Sequence, residues 1–234
     1  MEDRIVKYWS ERSSSFLSQR RRELHDPISD RWIELIHTCI SRTTQLKVLD
    51  VGCGAGYFSI LLAKEGHTVT GIDITGKMIE AAVILAREEK ADCAFYKMDA
   101  MDLDFQDGSF DLVISRNLTW TLTDPERAYR EWIRVLKKGG HLINIDADYG
   151  HEPEATLPAI HAHHMLSKGM VEENEEIKRS LSISCRQRPA WDREFLLQTE
   201  IIQCDVYENI SEKIYLYQDE FYNPTPLFMI HCVK

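Results

Sequence analysis

The sequence lacks any long apolar run. No stretch reaches the roughly 20 apolar residues that a membrane helix needs, and the opening MEDRIVKYWSERSSS is charged, without the apolar core of a secretory leader. No membrane insertion and a cytoplasmic location are therefore expected. Cysteine is sparse and unpatterned. Cys39, Cys53, Cys93, Cys185, Cys204 and Cys232 are scattered with no C-x-x-C and no zinc-like pair, which argues against a disulfide framework. Positive charge is also short. Against 38 Asp and Glu stand 28 Lys and Arg, a formal net charge of -10, the reverse of the basic footprint that a phosphate backbone requires. The densest basic run, Arg20 to Arg22, reads as a solvated helix face. G-K-[ST], H-E-x-x-H and G-x-S-x-G are all missing, which removes the Walker phosphate loop, the zinc-protease helix and the nucleophile elbow. Internal repeats and low-complexity tracts are absent as well.

What is present is alternation. The chain has 234 residues and is 44% hydrophobic, enough to bury one full core. Residues 1–40 read as amphipathic helix, and DPISDRWIELIHTCI places Ile28, Trp32, Leu35, Ile36 and Cys39 on one stripe. Then short β-rich runs, at KVLDV, HTVTGID, CAFYKMD and FDLVISRN, alternate with helical segments. DPERAYREWIRVLKKGG reads as a helix opened by Asp124-Pro125 and closed by two glycines, and HLINIDADY (141–149) as the fifth strand. Such alternation calls for right-handed crossovers and a doubly wound α/β sheet. Between His151 and Pro189 it lapses into helical fragments, with SKGM as a turn. A helix at WDREFLLQTE and two strands, IIQCDVYEN and LFMIHCVK, follow with an antiparallel ending. The expectation is a single domain: a helical cap (1–40), a core (45–148), an insertion after the fifth strand (151–189) and a closing segment (190–234).

The sharpest chemical signal is VLDVGCGAGYFS, residues 48–59. Here an acid, Asp50, ends the first strand and the chain turns through Gly52, Gly54 and Gly56 into a helix. Glycines permit tight turning and close ligand approach. Asp50 would repel a pyrophosphate and suits a cofactor carrying a cationic amine. Asp73, about twenty residues beyond the turn, stands where an acid grips ribose hydroxyls.

Four motifs occur in order: LDVGCGAG, GIDITGKMI at 71–79, MDAMDLDFQDGSFDLVISRNLTW at 98–120 and RVLKKGGHLINID at 134–146. In these the sequence resembles the class I S-adenosylmethionine-dependent methyltransferases, in particular the small-molecule branch that includes the ubiquinone and menaquinone enzymes. YWSERSSSF resembles the cap that covers the cofactor in that branch. The resemblance implies a Rossmann-like, mostly parallel seven-stranded sheet, with S-adenosylmethionine as cofactor and S-adenosylhomocysteine as product. It puts Gly52, Gly54 and Gly56 against the methionine part, with Asp50 near its ammonium. It puts Asp73 on the ribose, Ile74 and Met78 beside the adenine, and Asp99 and Ala100 on its amino edge. It places Arg116 and Asn117 at the cofactor and the pocket mouth, Trp120 near the reactive methyl, and Tyr8 and Trp9 in the cap. Asp50 as a turn cap, Arg116 as an ion-pair partner and Tyr8, Trp9 and Trp120 as packing residues are the plainer readings. The N-P-P-[YF] tetrapeptide of amino-directed enzymes is replaced by SRNLTW.

Methyl transfer in line from a sulfonium needs positioning, exclusion of water and, for some acceptors, a base. Candidates on the acceptor side lie in or beside the insertion: Asp148, Tyr149, His151, His161, His164, Arg186 and Arg188. On a helix His161 and His164 share a face and His163 does not. These histidines remain open as bases, as pocket lining or as ligands of a transition metal, although no resident metal is expected. Arg186 and Arg188 suit a substrate carboxylate or the acidic VEENEE segment. The expected partner is a small molecule methylated at N, O or S, on a monomer or homodimer. An RNA or protein methyltransferase and a nonenzymatic cofactor-binding regulator are the alternatives.

Overall fold

Strand β1 (Lys47–Val51) is the axis of the molecule. Val48, Leu49 and Val51 have no exposed surface, as in a strand covered on both faces. A computed structural model describes residues 1–151 and 167–234. Around β1 lie β2 (Thr68–Asp73), β3 (Cys93–Lys97), β4 (Phe110–Arg116), β5 (Leu136–Ala147), β6 (Gln203–Tyr207) and β7 (Leu227–Val233). The sheet order is β3-β2-β1-β4-β5-β7-β6. The first five strands pair in parallel, and β7 runs antiparallel to both β5 and β6, the antiparallel ending expected. The order reverses between β2-β1 and β4, and ligands of open α/β sheets bind at such a switch point, beyond the carboxyl ends of the strands.

Alternate side chains feed two cores. Val48, Leu112, Ile114 and Ile143 pack toward α2 (Ile28–His37) and α3 (Tyr57–Lys64), against Trp32, Ile36 and Phe58. Leu49, Val51, Val113 and Leu142 pack toward α5 (Pro125–Val135) and α7 (Ala190–Leu196), against Tyr129 and Trp132. The helix α4 (Gly76–Glu88) follows β2, and the short α8 (Ser211–Ile214) precedes β7. In α2, Ile28, Trp32, Leu35 and Ile36 are buried as the stripe requires.

Two elements depart from expectation. Helix α5 opens as expected, with Pro125 in its first turn and the Asp124 side chain accepting from Arg127 N, but it stops at Val135 and β5 begins at once. Gly139 and Gly140 therefore sit inside β5, where its register against β4 shifts. Gly139 has φ +74°, and a Cβ on Gly140 would lie 2.8 Å from Lys137 O. The glycines make the bulge rather than cap the helix. In the insertion, SKGM is no turn: Ser167 Oγ accepts from Met170 N and caps α6 (Lys168–Ser180), which carries the acidic VEENEE segment.

The long α1 (Glu2–Glu23) packs on α6 through Ile5, Tyr8, Ile177 and Leu181. The Arg20 to Arg22 run is not freely solvated. Arg20 pairs with Glu23, Arg21 with Glu88 of α4 and Arg22 with Glu220. Arg4 pairs with Glu173 and Glu176 of α6. None of the described helices is long and apolar enough to cross a membrane, all six cysteines are unbridged, and no metal-ligating cluster occurs among the described residues.

Candidate active site

A cavity of about 570 Å³ opens at the switch point, beneath α1 and α6. Its floor is built by the turn after β1. Gly52, Gly54 and Gly56 take φ of +67°, +52° and +82°, a region that L side chains rarely enter. Their roles then diverge. Gly54 presents its backbone to the cavity, with the Phe16 ring of α1 at 3.8 Å from where a Cβ would stand. Gly56 does not line the cavity: a Cβ there would press at 3.1 Å on Ala82 and Phe95. Its glycine serves helix–sheet packing, which corrects its expected place against the cofactor.

Asp50, next to last in β1, and Asp73, the last residue of β2, both line the cavity. Asp50 Oδ2 accepts from Ser59 N at 2.9 Å and Ser59 Oγ at 2.6 Å, so the plainer role as a cap of α3 is real as well. Burial pushes its carboxyl up to about 6, against the Ser59 hydrogen bonds. Asp73 accepts from Gly54 N at 3.1 Å and Thr75 N at 2.8 Å, which locks the glycine turn to β2. Burial lifts it to about 6 as well. Two buried carboxyls held above their usual range would gain from a cation and from hydroxyl donors.

Further along, Ile74, Met78, Met98, Asp99 and Ala100 border the same cavity. Asp99 Oδ1 is fixed by Met101 N at 2.8 Å, whereas Asp102 points to Arg127 at the exposed surface. The far wall is aromatic. Trp9 lies edge-on to Tyr8, Phe16 and Trp120, and Trp120 lies 5.1 Å from Tyr149. Tyr149 donates to Asn117 Oδ1 at 3.3 Å and accepts from Asn223 Nδ2 at 3.2 Å. Tyr215, Phe221 and Tyr222 complete this side, so the tyrosine-rich connection before β7 is a cavity wall.

Arg116 reaches the cavity but is held by the protein. Its guanidinium stacks 4.4 Å from the Trp32 ring centroid and donates to Glu23 Oε1 at 3.0 Å. Burial raises the Glu23 carboxyl, but Arg116 and Arg20 outweigh it and hold the group below its ordinary value. The ion-pair reading of Arg116 is thus the one observed.

Four expected acceptor residues lie elsewhere. Arg188 is buried and bonds Asp192 at 2.8 Å and Asp146 at 2.9 Å. It has no free donor face for a substrate, because it ties α7 to β5. The same polar cluster meets the cavity lining at Trp120: Asp146 Oδ2 accepts from Trp120 N at 3.1 Å, and behind it Tyr129 OH donates to Asp192 at 2.6 Å. Arg186 is exposed beside Trp191. Asp148 and His151 pair at 3.0 Å and border a separate cleft. VEENEE is bridged by Arg4, not by Arg186 or Arg188. His161, His163 and His164 lie outside the described residues. Conversely, Arg12, Lys178 and Asn223 line the cavity and were not singled out by their sequence context, whereas Phe16, weighed with Tyr8 and Trp9 as a packing residue or cofactor contact of the cap, lines it with them. The i, i+4 spacing of Tyr8, Arg12 and Phe16 on α1, which sets the arginine between two aromatic residues, was the signal available for Arg12.

Residues 49–144 match the methyltransferase domain family. The chain is 31% identical over 121 residues to a ubiquinone biosynthesis O-methyltransferase of Alkalilimnicola ehrlichii, covering 51% of this chain and 49% of that one. It is 28% identical over 218 residues to the enzyme of the same description from Pseudomonas entomophila, covering 92% and 88%. Among solved structures, phosphoethanolamine N-methyltransferase 2 of Haemonchus contortus bound to S-adenosylmethionine superposes with a TM-score of 0.63 at 19% identity, over 86% of this chain and 51% of that one. The core thus shares the Rossmann-like, mostly parallel seven-stranded fold of that structure. The chain spans only about half the length of the Alkalilimnicola and Haemonchus proteins, while the match to the Pseudomonas protein reaches past the methyltransferase core into the cap and the closing strands.

Proposed function

We propose that the chain is an S-adenosylmethionine-dependent methyltransferase of the class I family that acts on a small molecule at N, O or S. The observation that carries this reading is the convergence of Asp50, Asp73 and the Gly52–Gly54 backbone on one cavity that continues under an aromatic wall. The residues fit the cofactor. Gly54 leaves the space a side chain would fill, Asp50 is a carboxylate for an ammonium, and Asp73 offers acceptors to ribose hydroxyls. Ile74 and Met78 would flank the adenine, with Asp99 and Ala100 at its amino edge.

When bound, S-adenosylmethionine supplies an electrophilic methyl group. The protein's part is placement and exclusion of water. Trp9, Trp120 and Tyr149 form an aromatic wall in which the Tyr149 hydroxyl meets Asn117 and Asn223, and they orient an acceptor edge. Tyr149 is the described candidate for holding or relaying the acceptor proton, and His161 and His164 are further candidates for that work. The names of the quinone-related relatives favour a phenolic oxygen, and the phosphoethanolamine enzyme's name a nitrogen. A screen of phenolic and amine metabolites that follows release of S-adenosylhomocysteine tests the proposal. Turnover of one class supports it, and saturable cofactor binding without turnover of any class favours a regulatory cofactor-binding protein.

A further inference from the structure

Among the described residues, the arginines whose side chains are largely hidden from solvent each hold a carboxylate, with one exception. Arg116 and Arg20 share Glu23, and Arg188 holds Asp146 and Asp192. The exception is Arg12, 4% exposed and facing the main cavity. Its Nη1 donates to Tyr8 OH at 3.3 Å, its Nε is buried with no partner, and no carboxylate among the described residues forms an ion pair with it. Guanidinium keeps its charge in any protein environment and presents a planar fork of donors that matches a carboxylate. A buried charge without a counter-ion is costly, and the Phe16 ring, its centroid 5.4 Å from the guanidinium, compensates only in part.

We propose that Arg12 is a carboxylate receptor of this cavity, and that the ligand supplies the missing counter-ion. Along α1, Arg12 sits one turn after Tyr8 and Trp9, which join the α6 side and Trp120, and one turn before Phe16, which covers Gly54. It therefore stands where the two halves of the cavity meet. Two ligands carry the required group there: the amino-acid end of S-adenosylmethionine and an acidic acceptor such as an aromatic carboxylate. The first source rests on the function proposed above and the second does not.

Calorimetry on the full chain separates them. Arg12→Gln removes the charge and keeps donors, and Arg12→Lys keeps the charge and loses the fork. Thermal melting checks that both variants fold. The probes are S-adenosylmethionine, its decarboxylated analogue, and 4-hydroxybenzoate titrated into both the ligand-free and the S-adenosylhomocysteine-saturated protein. A loss of at least tenfold in Arg12→Gln for S-adenosylmethionine, with no loss for the decarboxylated analogue, supports the receptor and assigns it to the cofactor. A comparable loss for 4-hydroxybenzoate, with cofactor affinity unchanged, supports it and assigns it to the acceptor. Arg12→Lys is expected to fall between wild type and Arg12→Gln. Wild-type affinities in a folded Arg12→Gln variant overturn the receptor and leave the methyltransferase reading standing. Failure of the wild-type chain to bind either cofactor form, with Arg12-dependent 4-hydroxybenzoate binding retained, overturns the methyltransferase reading and leaves the receptor. A wild-type chain that binds none of the three probes overturns both.

Discussion

The Arg116 guanidinium donates to Glu23 Oε1 at 3.0 Å and so joins the carboxyl end of β4 to the last turn of α1. This contact holds the cap over the cavity. Glu23 also serves Arg20 and is 1% exposed. Removing one member of a buried ion network leaves an uncompensated charge, at a cost of about 3–5 kcal/mol. Glu23→Gln is expected to lower the urea midpoint accordingly, and an unchanged midpoint would show that the network is energetically idle.

Arg188→Met gives the parallel test on the other side of the sheet. It strands Asp146 and Asp192, both fully buried, and is expected to destabilise by about 3–5 kcal/mol. Cofactor affinity of the folded fraction should stay at the wild-type value. A selective loss of acceptor affinity at full stability would restore Arg188 to the substrate site.

The pH dependence follows from Asp50 and Asp73. Both sit at about 6 in the fold against an ordinary 3.8, so the fold binds these protons more tightly than the unfolded chain does. Each carboxyl therefore lowers stability as pH rises from about 4 to about 6, with no further change above. A bound ammonium and ribose favour the ionised forms. Cofactor binding at about pH 5.5 should release protons, and affinity should fall as pH drops through this window. Calorimetry in two buffers of different ionisation enthalpy reads the release; identical heats would refute it.

Tyr149→Phe removes the hydrogen bond to Asn117 and the acceptor for Asn223 while keeping the ring beside Trp120. Once an acceptor is in hand, kcat/KM is expected to fall roughly tenfold, about one buried hydrogen bond, with cofactor affinity unchanged. Equal turnover would confine Tyr149 to packing.

His161→Ala and His164→Ala, made separately, test the base proposed for the insertion. At least one should cut kcat/KM by about a hundredfold or more with cofactor affinity preserved. Normal turnover in both removes histidine from the proton path.

The convergence of the glycine turn, Asp50 and Asp73 on one cavity was legible in the sequence because its signals are local. The glycine turn, Asp50 and Asp73 lie at the ends of consecutive strands, and strand alternation fixes where those ends meet. Gly56 was misplaced because a packing glycine and a ligand glycine look alike in one turn. Neither the bulge at Gly139 and Gly140 nor the Arg188 cluster could be read locally. The first depends on register against β4, and the second on α7 folding back to β5. The acceptor side depends on which face of α1 and α6 meets the sheet, and so Arg12 was not set apart within the amphipathic segment 1–40.

The most direct measurement is a calorimetric titration of the full chain with S-adenosylhomocysteine, repeated on Asp73→Asn. The account predicts saturable binding at one site per chain, weakened at least about tenfold by the loss of a charged acceptor. A folded wild-type chain that takes up neither S-adenosylhomocysteine nor S-adenosylmethionine would contradict it.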